Sequence, residues 1–180
     1  MSLDPLAVSR LPEPVRAGWD PAQVKQDLSI LAAFPDRLDR LLGGISRVLA
    51  LGSTYREGGW TVTEIVHHLV DSHMHAYMRC KFALCETRPT IQPYDENAWV
   101  GTPECKLEHV FGATVVLSFL HMRWVVLLSA LDEAGWNRAF HHPERGRDIP
   151  LFQQVATYAW HGEHHLAQAA LALGVKLPPT

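Results

Sequence analysis

The chain has 180 residues, 47% hydrophobic and 19% charged, and a formal net charge of −3 with histidine neutral. That length supports one well-buried core and a single domain. The weak negative charge offers no general attraction for phosphate or anionic lipid, which disfavours nucleic-acid binding as the main role.

Residues 1–19 carry three prolines and no sustained periodicity, so they read as an extended N-terminal arm ahead of one domain over 20–180. The arm lacks the basic start and apolar stretch of a signal peptide. Asp20-Pro21 then supplies an N-cap and a first-turn proline. Val24, Leu28, Leu31, Ala32, Leu38, Leu41 and Leu42 follow at helical spacing, with Pro35 expected to kink or split the helix and Gly43-Gly44 to stop it.

Thr61-Val62-Thr63-Glu64 is a capping-box pattern and opens a second helix running to about Glu86. Pro89, Pro93, Gly101 and Pro103 mark a long irregular connection over 88–103. Thr102-Pro103 opens a third helix, expected to reach Ala134 and end at Gly135. Trp136 to Pro150 reads as a small hairpin-like loop, and a fourth helix spans Leu151 to Leu173 before Gly174. The resulting expectation is an all-α four-helix bundle. The longest apolar run, Trp124 to Leu128, falls far short of the roughly 20 residues of a membrane span. Cys80, Cys85 and Cys105 form no C-x-x-C pair and leave an odd count, which fits packing residues in a reducing cytoplasm.

The histidines gather in two windows: His67, His68, His73 and His75 on the second helix, and His161, His164 and His165 on the fourth. Residues i and i+4 stack on one helical face, so His161 and His165 can aim both rings at one cation. His164 and Glu163 point elsewhere and are not counted as ligands. A third ligand must come from another element. The wheel of the second helix leaves His67, His68 and His73 open and slightly favours His73. Its bland role, a buried hydrogen-bonded histidine, is nonetheless the more frequent one. His109 and His121 read as packing or solvent-facing, and His141-His142 as part of a turn before Pro143.

Several ordered motifs resemble the bacterial YfiT-type proteins of the DinB-like superfamily. They are Tyr55-Arg56-Glu57-Gly58-Gly59-Trp60-Thr61-Val62, Val66-His67-His68-Leu69, Asp71-Ser72-His73-Met74 and Lys81-Phe82-Ala83-Leu84. Pro93-Tyr94-Asp95-Glu96 with Ala98-Trp99, His121-Met122-Arg123-Trp124, and Tyr158-Ala159-Trp160-His161 with His164-His165-Leu166-Ala167 continue the match. The resemblance implies a four-helix bundle and a homodimer. It also implies one divalent metal per chain, Zn²⁺ or Ni²⁺, on His68, His161 and His165.

Three neutral imidazoles leave a position open for water or substrate. Metal-activated water would make a hydrolase acting on a small molecule. A metal-activated thiolate would make an S-transferase for a low-molecular-weight thiol such as bacillithiol. A non-catalytic metal-bound stress protein is the third reading. Glu64, Asp71 and Ser72 are candidates to orient the imidazoles, Glu64 equally for its capping role. Tyr94, Asp95, Trp99, Arg123 and Trp160 are candidate lining residues, and no general base is assigned.

Overall fold

A computed structural model describes residues 4–43, 52–106 and 110–179. Its long helices are α2 (Pro21–Gly43), α3 (Val62–Cys85), α5 (Phe111–Ser129) and α7 (Leu151–Leu173). The short elements are α1 (Pro5–Ser9), α4 (Glu96–Val100), α6 (Glu133–Trp136), a 3₁₀ turn (Pro103–Lys106) and strands β1 (Ala139–His142) and β2 (Arg147–Pro150). The four-helix bundle expected from periodicity is therefore the fold.

The start of α3 is built as its sequence implies. Thr61 Oγ1 accepts from the Glu64 amide at 3.2 Å, and the Glu64 carboxylate accepts from the Thr61 amide at 2.7 Å. At the other end of the bundle Gly174, with φ +67°, closes α7 in the left-handed conformation that only glycine adopts without strain. The hairpin pairs Phe140 with Ile149 and His142 with Arg147, and both Phe140 and Ile149 enter the core.

Four local expectations change. The segment read as an extended arm contains α1, capped by Asp4, whose Val8 is buried against α7. Pro35 does not split α2, which runs unbroken through it. The third helix begins at Phe111 rather than Pro103 and ends at Ser129, with α6 a separate turn capped by Asp132. The Pro103 cap signal produces only the 3₁₀ turn. The irregular connection holds α4, capped by the Asp95 side chain. Gly44 and His109 lie outside the described residues.

Helices α2 and α3, consecutive in the chain, are not close neighbours and meet only through core side chains such as Phe34 and His73. Each packs on both α5 and α7, which places them across the bundle's diagonal. The 18-residue connection over 44–61 makes that possible, where a short loop would force neighbours. This arrangement sets α3 directly beside α7, the two helices that carry the histidine windows.

By length and composition alone, α5 is apolar enough to cross a membrane. Counting uninterrupted apolar residues misses this, because Ser118, His121 and Arg123 break the run. In the bundle Leu117, His121, Trp124 and Leu128 face the core, while Phe111, Val116, Phe119, Met122 and Val126 are exposed on its outer side.

Candidate functional site

His68 stands two turns into α3, and His161 and His165 stand one turn apart on α7. Their ligand atoms lie within 4.8 Å of one another. His68 Nε2 and His161 Nε2 face each other at 3.2 Å. Two imidazole nitrogens held by one tetrahedral zinc at about 2.0–2.1 Å stand roughly 3.3 Å apart, so the pair has the spacing such an ion requires. The Trp60 ring walls the site, its centroid 4.6 Å from that of His68 and 6.1 Å from that of His165.

Burial governs the charge of these rings. It pushes His68 down to about 4, and His161 and His165 well below the ordinary histidine value. The neighbouring histidines add to the depression in the latter two. The triad is thus held neutral, the form in which imidazole donates a lone pair to a metal.

The remaining nitrogens decide which lone pair is presented. His165 Nδ1 lies 2.8 Å from Gln168 Oε1, an acceptor, so Nδ1 carries the proton and Nε2 is free. His161 is fixed through a chain of rings. His121 Nδ1 donates to the Leu31 carbonyl at 2.7 Å, which leaves His121 Nε2 to accept from His73 Nδ1 at 2.7 Å. His73 Nε2 then accepts from His161 Nδ1 at 3.2 Å, and the His161 Nε2 lone pair is left facing the site. The chain begins at a carbonyl, which can only accept, so every tautomer along it follows.

Pro35 supplies that carbonyl. A helical Leu31 carbonyl would accept the amide of residue 35, but proline has none. The acceptor freed inside α2 is the one His121 uses.

The other candidates fall elsewhere. His67, on the opposite edge of α3, is half-buried away from the triad, and His164 stacks on Trp160 and bonds Gln168 rather than facing open solvent. Glu163 pairs with the buried Arg37, away from the triad. Glu64 is engaged by Thr61 and Lys106, so its capping role accounts for it. Ser72 meets the Tyr158 hydroxyl at 3.2 Å. Asp95 caps α4, Trp99 packs on His75 and Tyr94, and Arg123 lies over Tyr77. Tyr94 and Trp160 line a cavity beside His161. His142, read as part of a turn, sits on β1 and lines the same cavity.

Sequence reasoning missed the role of His121, His73, Gln168 and Trp60. Only Gln168 had a local signal, three residues after His165 on the same helical flank.

Three converging neutral imidazoles between two helices of a bundle define the class of protein: a four-helix bundle with a candidate metal centre. The DinB superfamily profile matches residues 30–169, and the chain belongs to that family. It is 34% identical over 166 residues to a Geobacillus kaustophilus (strain HTA426) protein named "putative metal-dependent hydrolase", covering 92% of this chain and 90% of that one. A Bacillus mycoides (strain KBAB4) protein of the same name is 45% identical over 134 residues, 74% of this chain and 76% of the other. Among solved structures, YfiT from Bacillus subtilis superposes with a TM-score of 0.83 at 35% identity, covering 89% and 90% of the two chains. That structure is described as "a probable metal-dependent hydrolase with an unusual four-helix bundle topology".

Proposed function

We propose that this protein is a metal-dependent hydrolase of small molecules, with one divalent metal, Zn²⁺ or Ni²⁺, held by His68, His161 and His165. The observation that carries this reading is the convergence of three neutral imidazoles, His68 and His165 buried and His161 half-buried, with the tautomers of His161 and His165 leaving their Nε2 lone pairs free. A metal held there supplies Lewis acidity, polarising a substrate carbonyl and bringing the pKa of a water to about 7. The protein's own contribution is orientation. His73 and Gln168 fix the rings of His161 and His165, and Trp60 shields one side of the site.

The exposed apolar stripe of α5 supports a homodimer in which that face is covered, since contiguous apolar patches of this kind mark interaction sites. Size-exclusion chromatography with light scattering should give twice the chain mass, and Phe119→Glu should return the single-chain mass. The buried free thiols of Cys80 and Cys105 support a reducing compartment, the cytoplasm.

Metal analysis of protein purified without an affinity tag tests the site: about one Zn or Ni per chain is expected, and none in His161→Ala. The loaded protein is then offered ester, amide and phosphoester substrates, beside monochlorobimane with a panel of thiols. Thiol-independent turnover lost in His161→Ala supports the hydrolase. Turnover only with a thiol would replace that reading with an S-transferase, and metal binding without any turnover with a non-catalytic metal protein.

A further inference from the structure

Beside His161 the bundle opens into a cavity of ≈ 140 Å³, walled by α3, the loop before α4, the β1–β2 hairpin and α7. Four groups lining it have buried polar atoms with no hydrogen-bond partner among the described residues: Arg79 Nε, Tyr94 Oη, His142 Nδ1 and Gln154 Nε2. An unpaired buried donor has lost its water without gaining a partner, and native proteins keep few of them. Gln154 is only 4% exposed, fixed on the α7 face that leads to His161.

The charges of the cavity are unequally engaged. Arg145 is held by Glu13 at 2.9 Å, and Glu13 also accepts from Thr157 Oγ1 at 2.9 Å. Arg79 forms no ion pair or hydrogen bond among the described residues, although its charge acts at longer range on the Glu96 carboxyl. A guanidinium and a carboxamide that line one space, each with an unpaired buried N–H, can form a receptor for a carboxylate. Glu96 and Glu144 also line the cavity, and they oppose a second negative charge.

We propose that this cavity binds the carboxylate of a small monoanionic substrate on the Arg79 guanidinium and the Gln154 carboxamide, with the susceptible carbonyl at the histidine triad. The inference rests on the hydrolytic reading of that triad and adds the substrate class. Gln154 and His161 are seven residues apart on α7, about 10 Å along the axis. The substrate is therefore extended, with its carboxylate and its reactive carbonyl at opposite ends. Phosphate monoesters and dicarboxylates are excluded by the acidic lining.

Hexanoate and hexanamide have the same shape and differ in charge. Calorimetric titration into the metal-free full chain should give at least ten-fold tighter binding of hexanoate, and Arg79→Gln should bring the two to parity. Gln154→Leu is the second variant and should weaken hexanoate several-fold. Equal affinities in the wild type, or an unchanged ratio in either variant with native helicity, would overturn the proposal.

The metal-loaded arm compares monomethyl with dimethyl suberate. In each, water cleaves an ester C–O bond to give a carboxylic acid and methanol. A kcat/KM preference for the monoester, lost in Arg79→Gln, supports both readings. Hexanoate discrimination without turnover of either ester supports the carboxylate site and counts against the hydrolytic reading. Equal turnover of both esters without hexanoate discrimination overturns the carboxylate site and leaves the hydrolytic reading standing.

Discussion

The Leu31 carbonyl and the His121 ring lie 2.7 Å apart across the α2–α5 interface, and this contact sets the tautomer of a ring two residues further along the chain of histidines. His121 passes its constraint to His73, and His73 passes it to His161. A ring nitrogen reaches the candidate metal position with its lone pair exposed because a backbone carbonyl on another helix cannot donate a proton.

His73→Phe tests the relay. The variant keeps all three candidate ligands but leaves His161 Nδ1 without its acceptor. Loss of such an outer partner typically weakens metal affinity about 10–100-fold. Competition against a chelator of known affinity should show a loss of that size, smaller than the abolition expected in His161→Ala. Unchanged affinity in His73→Phe would mean that His161 orients without the relay.

Pro35→Ala should move stability and metal affinity in opposite directions. Proline inside a helix costs about 3 kcal/mol relative to alanine, although burial of Pro35 offsets part of any gain from replacing it. The new amide of residue 35 competes with His121 for the Leu31 carbonyl. Urea denaturation should therefore show a gain of about 1–2 kcal/mol, while chelator competition shows a several-fold weaker metal site. A variant that gains stability with full affinity would separate Pro35 from the relay.

Gly162 is needed for close approach. A Cβ built there would stand 2.9 Å from Phe34 Cδ2 on α2, and the Phe34 ring lies 5.5 Å, centroid to centroid, from both His73 and His121. Gly162→Ala gains about 1 kcal/mol of helix propensity, against a cost of about 1–3 kcal/mol for overpacking a filled core. The expected result is net destabilisation with weakened metal binding, read by thermal unfolding and chelator competition. A more stable variant with intact affinity would show that Phe34 yields freely.

Acid should destabilise the metal-free protein well above the usual carboxylate range. Burial holds His68 and His121 at about 4 in the folded chain, against 6.5 when unfolded, and pushes His73, His161 and His165 well down. Between those values the unfolded chain binds protons that the folded chain refuses. Stability present above pH 6.5 is therefore lost as the pH falls through about 4. Burial raises Asp27, Asp71, Glu96 and Glu163, which contribute with the opposite sign, but the five histidines of the cluster, with His67, His75, His142 and His164 also lowered by burial, outnumber them. Urea midpoints at pH 7.5, 6.5, 5.5 and 4.5 should fall steadily. A midpoint that rises on acidification would contradict neutral burial of the five rings.

The sequence by itself determined the bundle and the pair on α7. Helical spacing of apolar residues, the Thr61–Glu64 box and Gly174 are local signals, and each acts within one or two turns. His161 and His165 were legible for the same reason, since i and i+4 share a face whatever the helix packs against. Tertiary structure decided the rest. Spacing along α3 could not choose among His67, His68 and His73, because the choice depends on how α3 is rotated against α7. The resemblance pointed to His68, and the packing sets it beside the pair. It also puts His73 behind His161, with His121 brought in from α5 and Leu31 from α2. No periodicity relates residues 31, 73, 121 and 161, since their hydrogen bonds cross between helices. Pro35 shows the limit most clearly: locally it reads as a defect in α2, and only the neighbouring helix reveals what its missing amide leaves free.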